Sequence, residues 1–437
     1  MPKHGKDQET RVIQLKDYQE KHAGWQESQA RYEYEDPLEE DGLPPPAAGE
    51  AAKRERRAVP KAVYAASLAL VAVAVGLGLW INRDFLTWTN LREWARLQVL
   101  GEEGGDGFPV DITGSTVYGS NFLAYNGAAV MLSDTALTMV GDQGKEALSL
   151  RHDLNQPVLK AASGQFLIYN SGSTGYTVLS GAEAAASGVA EQDIITGAIA
   201  ANGRFALGLA GEYGASRLQV FLEDAGLQYE YAFSNDYVTA IALNHDASRG
   251  AVCTVRSDKG EMVSRLTLFD FSQPEPTAQY ETRGNLLLAA GWSENGVVYA
   301  VGDAALVSGR ASDGEFTEYD YQGRQLTAFQ LAANRAFLSI SAYDHAGSST
   351  LMVLNGGEPY GEGNPLRVEM DRRVESISVF GGTAAMLAGG EAVFCDYGTG
   401  QELARADAGT DAKSLALSSE SRAYVLGVSE VRVIELN

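Results

Sequence analysis

The chain has 437 residues, with 57 Asp and Glu against 34 Lys and Arg and a formal net charge of −23 at pH 7. A surface of that sign repels phosphate backbones and anionic headgroups, which disfavours nucleic acid and anionic lipid as direct partners. The two cysteines, Cys253 and Cys395, exclude a disulfide-rich scaffold, a CxxC redox centre and a cysteine-rich metal site. They stand in the apolar contexts AVCTV and VFCDY and read as two separately buried thiols, with one long-range disulfide as the alternative outside the cytoplasm.

Residues 1–61 hold few apolar side chains, an acidic cluster at 33–41, the stretch LPPPAAGE and a basic run, the composition of a disordered tail. Val12, Leu15, Trp25 and Tyr32 are the anchors a helix would use if this tail met a partner; an idle solvated tail is the equal reading. Residues 62–81 read AVYAASLALVAVAVGLGLWI and carry no charge. At about 1.5 Å per residue a helix of this length matches the roughly 30 Å hydrocarbon core, so a single transmembrane helix is expected there. The run is longer and further from the N-terminus than a signal peptide's apolar region.

Lys53, Arg54, Arg56, Arg57 and Lys61 crowd its N-terminal side, against Arg83 alone close on the other. That asymmetry keeps the N-terminus in the cytoplasm and makes residues 82–437 extracytoplasmic, in a cell-membrane protein. Of the 57 acidic residues 13 precede position 82, and of the 34 basic ones 11 do, leaving 44 against 23 in the extracytoplasmic part. Residues 82–106 form a juxtamembrane helix and linker: Asn90 and Glu93 make a capping-box pattern ahead of Leu91, Trp94, Leu97 and Leu100. Trp80, Trp88 and Trp94 suit the headgroup region, with a plain helical stalk as the alternative.

From 107 to 437 helical periodicity gives way to short runs of Val, Leu, Ile, Tyr and Ala broken by Gly, Asn and Asp. The runs recur as a unit of four strands, with starts near Pro157, Ile194, Tyr237, Leu286, Leu326, Val374 and Ser414. A spacing of about 40 residues is that of a propeller blade. The earlier unit TVYGSNFLAYNGAAVMLSDTALTMVGDQGKEALSL brings the count to eight, with seven as the alternative because this unit is the least regular. The last unit has room for three strands, so PVDI at 109–112 is expected to supply its outer strand and close the ring.

The membrane helix together with GDGFPVDITGS, RHDLNQPVLKAASGQFLIYNSG and the degenerate repeats resembles an uncharacterised family of bacterial single-pass membrane proteins, whose soluble part is known only as a domain of unknown function. The resemblance covers most of 85–437 and implies a topology and a propeller without an activity. More distantly the repeats are similar to quinoprotein-like and WD-repeat propellers. FCDYGTGQELA follows the quinoprotein pattern of Asp then Thr-Gly, but has Ala404 where that pattern places tryptophan; with Trp292 alone in the domain, no tryptophan ladder exists.

No GxSxG, P-loop, HExxH or EF-type calcium loop occurs, and no cofactor, metal or catalytic site is expected. His152, His245 and His345 stand in turns far apart in sequence. One constellation repeats: Asp153, Asp193, Asp236, Glu281, Asp371 and Asp411 precede the first strands of six units. Converging at a channel mouth, they would form an acidic ring for a cation or basic peptide; the alternative is Asx turns onto their own backbone. The expected function is a non-enzymatic scaffold that binds an envelope protein or peptide through one face of the disc. The alternatives are an extracytoplasmic sensor signalling to the cytoplasmic tail, or a propeller enzyme whose site is invisible in linear sequence.

Overall fold

The computed structural model describes residues 107–212, 214–342 and 347–436, so the tail at 1–61, the span at 62–81, the juxtamembrane segment at 82–106 and His345 lie outside the described residues. Among the described residues no helix is long and apolar enough to cross a membrane.

These residues form eight four-stranded antiparallel sheets, the blades of a propeller. Blades 1 to 7 occupy 117–151, 157–189, 194–233, 237–283, 287–320, 325–370 and 374–407, each running from its inner strand to its outer strand in chain order. The strand starts inferred from the repeat fall within one residue of the observed ones. Blade 8 combines 414–435 with Val110–Asp111, which pairs as Val110↔Val431 and Asp111↔Glu430 and is extended by Ile112 N–H donating to Ser429 O at 2.9 Å. The closing strand thus comes from the segment the sequence singled out, and the fold has eight blades.

Burial explains why the sequence shows apolar runs more than strict alternation. A middle strand has a neighbouring blade on each face, so all six residues of Ala128–Ser133 and all six of Thr383–Ala388 are buried. The outer strands meet water and alternate, as in Glu183–Val189. Two-residue turns join the strands where both central residues take positive φ: Asn126 and Gly127 at 47° and 81°, Lys259 and Gly260 at 52° and 84°. Such turns carry the twist the strands need.

The core is correspondingly divided. Each seam between neighbouring blades holds its own apolar cluster, such as Leu218, Tyr229 and Phe233 against Val252, Phe269 and Phe271 between blades 3 and 4. The closing seam packs Phe108, Val110 and Ile112 with Met131 of blade 1 and Tyr424 and Val431 of blade 8. Cys253 belongs to the seam of blades 4 and 5 and Cys395 to that of blades 6 and 7. Both thiols are free and buried, and burial pushes them up to about 12 and about 11.

Polar side chains lace successive blades together. Asn121, 2% exposed on the inner strand of blade 1, donates to Pro157 O at 2.8 Å and accepts from Leu159 N–H at 3.0 Å on the inner strand of blade 2. Ser216 donates to Asp236 O and accepts from Val238 N–H at 2.7 and 3.1 Å, and Ser349 does the same for Arg372 O and Val374 N–H at 3.0 and 3.2 Å. Each of these serines opens a third strand and clips the link into the next blade. Buried backbone groups at the links need partners, and side chains supply them where the ladders cannot.

Candidate functional site

The links from each outer strand to the next inner strand emerge on one face of the disc, here termed the link face; the hairpins from inner to second strand emerge on the other. On the inner strands of blades 3, 4, 5, 6 and 7 the pairing slips by one residue near the start, at Ile195, Thr239, Leu288, Thr327 and Glu375, and blade 1 has a longer irregularity between Val117 and Phe122. A bulge leaves its extra residue out of the ladder and re-aims its side chain. Thr239 uses this freedom to donate to Leu287 O at 2.7 Å, and Thr327 to donate to Ser339 Oγ at 2.8 Å. Leu288 and Glu375 instead face solvent.

Three inner strands also carry exposed apolar side chains at their starts on the link face. Tyr118 is 64% exposed, Tyr237 57% and Leu288 45%, each at the start of an inner strand whose later positions are mostly covered. They belong to blades 1, 4 and 5 and offer separate apolar contact points on the link face.

The six acidic residues are placed differently from one another. Asp153 and Asp193 are exposed in the links before blades 2 and 3. Asp371 pairs with Arg405 at 3.2 Å and Asp411 with Arg432 at 2.7 Å. The Arg432 hydrogen bond and the Val428 N–H hold the Asp411 carboxyl below the usual carboxylate range.

Glu281 does not precede an inner strand. It lies inside the outer strand of blade 4, Ala278–Arg283, because the turn into blade 5 begins only at Gly284, where φ is +68°. There it stands directly opposite Arg265. Asp236 is brought to the same place from the preceding link: its two oxygens accept from Arg256 Nη1 at 3.3 Å and Arg265 Nη1 at 2.8 Å, while Glu281 Oε1 accepts from Arg256 Nη2 at 3.0 Å and from Arg265 Nε and Nη2 at 3.0 and 2.6 Å. Of the six, then, Asp236 and Glu281 meet each other, through two arginines. Among the described residues no group of three or more His, Cys, Asp or Glu is placed to hold a metal ion.

These arginine pairings reverse the sign expected of an uncompensated ring. Replacing Asp236 by Asn should lower stability by about 2 kcal/mol, because two guanidiniums at 18% and 22% exposure lose the carboxylate that anchors both. Thermal melting at low and high salt checks this; a melting temperature raised by the substitution would mean that repulsion among the acidic residues dominates.

Among the described residues, cavities adjoin two of the blade seams. One of about 310 Å³ opens on the link face between blades 3 and 4, with Tyr231, Asn235, Asp236, Arg256, Arg265 and Gln279 in its wall. The other, about 240 Å³, opens on the hairpin face between blades 5 and 6, walled by Trp292, Tyr299, Leu331 and Arg335. The inner strands approach closely there: a Cβ on Gly291 would lie 2.6 Å from Leu331 Cδ1. His152 is occupied by the fold, its Nε2 3.1 Å from Ser133 O and its Nδ1 accepting from Leu154 N–H at 3.3 Å.

Residues 110–318 match the model of a family of unknown function, DUF5711. That stretch includes parts of the segments on which the resemblance in sequence rested. No curated protein matches the sequence. Among solved structures the chain is similar to the crystal structure of Saccharomyces cerevisiae Sqt1, with a TM-score of 0.48 and 10% identity over 75% of this chain and 100% of that one.

Proposed function

We propose that this protein is a membrane-anchored docking platform, whose propeller stands outside the cytoplasm and binds an envelope protein or peptide, without catalysis, through its link face. The observation that carries this reading is the exposed trio Tyr118, Tyr237 and Leu288 at the starts of three inner strands. Apolar side chains left in water on a rigid face gain free energy when a partner covers them, at roughly 25 cal/mol per Å². The charge-free run at 62–81, with five basic residues close on its N-terminal side against Arg83 on the other, supports the anchor and its orientation. The 1–61 tail would then be available for a second contact inside the cell.

The test has two arms. In intact cells, cysteine at position 28 should resist an impermeant thiol reagent and cysteine at position 312 should react; the opposite pattern excludes the extracytoplasmic reading. A photo-crosslinking residue at position 237 should capture a discrete partner, and Tyr118→Ala with Leu288→Ala should abolish the capture. Capture indifferent to both changes would place the docking surface elsewhere.

A further inference from the structure

The arginine pair on the link face is built asymmetrically. Arg256 and Arg265 come from the second and third strands of blade 4, and a diagonal register places them side by side, since Arg265 pairs with Thr254 two residues before Arg256. Asp236 underlies both: its carboxylate is 9% exposed and commits one oxygen to each guanidinium. Glu281 covers them from the outside. Its side chain is 42% exposed, and a single oxygen, Oε1, takes all three of its bonds. The arginines hold its carboxyl below the usual range, so it is ionised at neutral pH.

Arg256 commits two donor contacts and Arg265 three, so roughly half of their N–H groups remain for another acceptor. The cavity of about 310 Å³ gives direct access to both guanidiniums, and Gln279 and Asn235 in its wall add neutral donors and acceptors. A structural ion-pair cluster needs no such cavity.

We infer that Arg256 and Arg265 form a recognition site for a carboxylate, which enters this cavity and takes the guanidinium positions covered by Glu281, with Glu281 acting as a built-in competitor. The planar fork of a guanidinium matches a carboxylate bidentately, and the protein already places a carboxylate there. Asp236 stays in place and keeps the pair preorganised. The carboxylate would come from a small organic acid or from a peptide C-terminus. This inference goes beyond docking through the exposed trio and does not depend on it.

If Glu281 occupies the arginines about nine-tenths of the time, apparent affinity is reduced about tenfold, and removing the competitor restores it. In calorimetric titration of the full chain in detergent micelles, Glu281→Gln should therefore bind succinate about tenfold more tightly than the native protein. Adding Arg265→Lys, which keeps the charge but removes the fork, should abolish that gain; thermal melting confirms that each variant is folded, and Arg256→Lys is the substitute if the first does not fold. A free-acid dipeptide binding more tightly than succinate, with its amide not binding, assigns the carboxylate to a peptide terminus; succinate binding at least as tightly assigns it to a small acid.

The inference is overturned if Glu281→Gln binds succinate no better than native, if the lysine variant binds equally well, or if inorganic phosphate binds as tightly as either carboxylate probe. Tyr118→Ala and Leu288→Ala should leave succinate binding unchanged, so failure of the exposed trio as a docking surface and failure of this site are separately visible.

Discussion

Removing residues 108–113 should lower the stability of the propeller by about 5 kcal/mol and its melting temperature by roughly 10 °C, because the deletion takes away three apolar side chains at about 1.5–3 kcal/mol each. Those side chains, Phe108, Val110 and Ile112, pack into the seam that joins the last blade to the first. Phe108 lies 5.5 Å from the Tyr424 ring, whose hydroxyl donates across the seam to Gly127 O, and Arg422 Nη2 donates to Asp142 O at 2.6 Å in blade 1. The deletion also leaves Val431 and its neighbours on an open sheet edge, a template for intermolecular pairing. Melting followed by far-ultraviolet circular dichroism, with light scattering for aggregation, is the measurement. A shortened protein that melts where the native one does would show that the closing strand contributes nothing.

Asn121→Ala should cost about 3 kcal/mol, since a buried donor and a buried acceptor each lose a partner at about 1–3 kcal/mol apiece. The two groups are Leu159 N–H and Pro157 O on the inner strand of blade 2, and neither is reached by water when Asn121 is 2% exposed. Asn121→Asp should be worse: it keeps an acceptor for Leu159 but sets a carboxylate oxygen against the Pro157 carbonyl. Ser312→Ala, at an exposed turn, is the control and should change stability by less than about 0.5 kcal/mol. Chemical denaturation gives these differences directly. If Asn121→Ala matched the control, the lacing between inner strands would be incidental to stability.

The blade pattern was legible because it is local. Each unit repeats buried middle strands and a half-wet outer strand, and a period-2 pattern interrupted by Gly-containing turns survives in the linear order. The closing strand was legible by subtraction: 414–435 supplies three strands where its neighbours have four, and the free segment before blade 1 is short and apolar. The site was legible only in part. Asp236 recurs with the repeat, but the arginines that hold it are 20 and 29 residues away, and Glu281, whose spacing reads as that of a link residue, belongs to a strand. Charge spacing along a sequence says which carboxylates recur; it does not say which cations register opposite them.

Local polarity and turn chemistry are enough to read the all-β repeat and the source of the closing strand, whereas eight blades over seven is settled by the strand pairing. Folding adds what no linear pattern carries: bulges aim Leu288 and Glu375 outwards, Leu288 stays exposed on the link face along with Tyr118 and Tyr237, and Arg256 and Arg265 share Asp236 and Glu281 beside a cavity. The reason is that register and seam geometry arise from pairing between strands, and a shift of one residue moves every side chain to the opposite face.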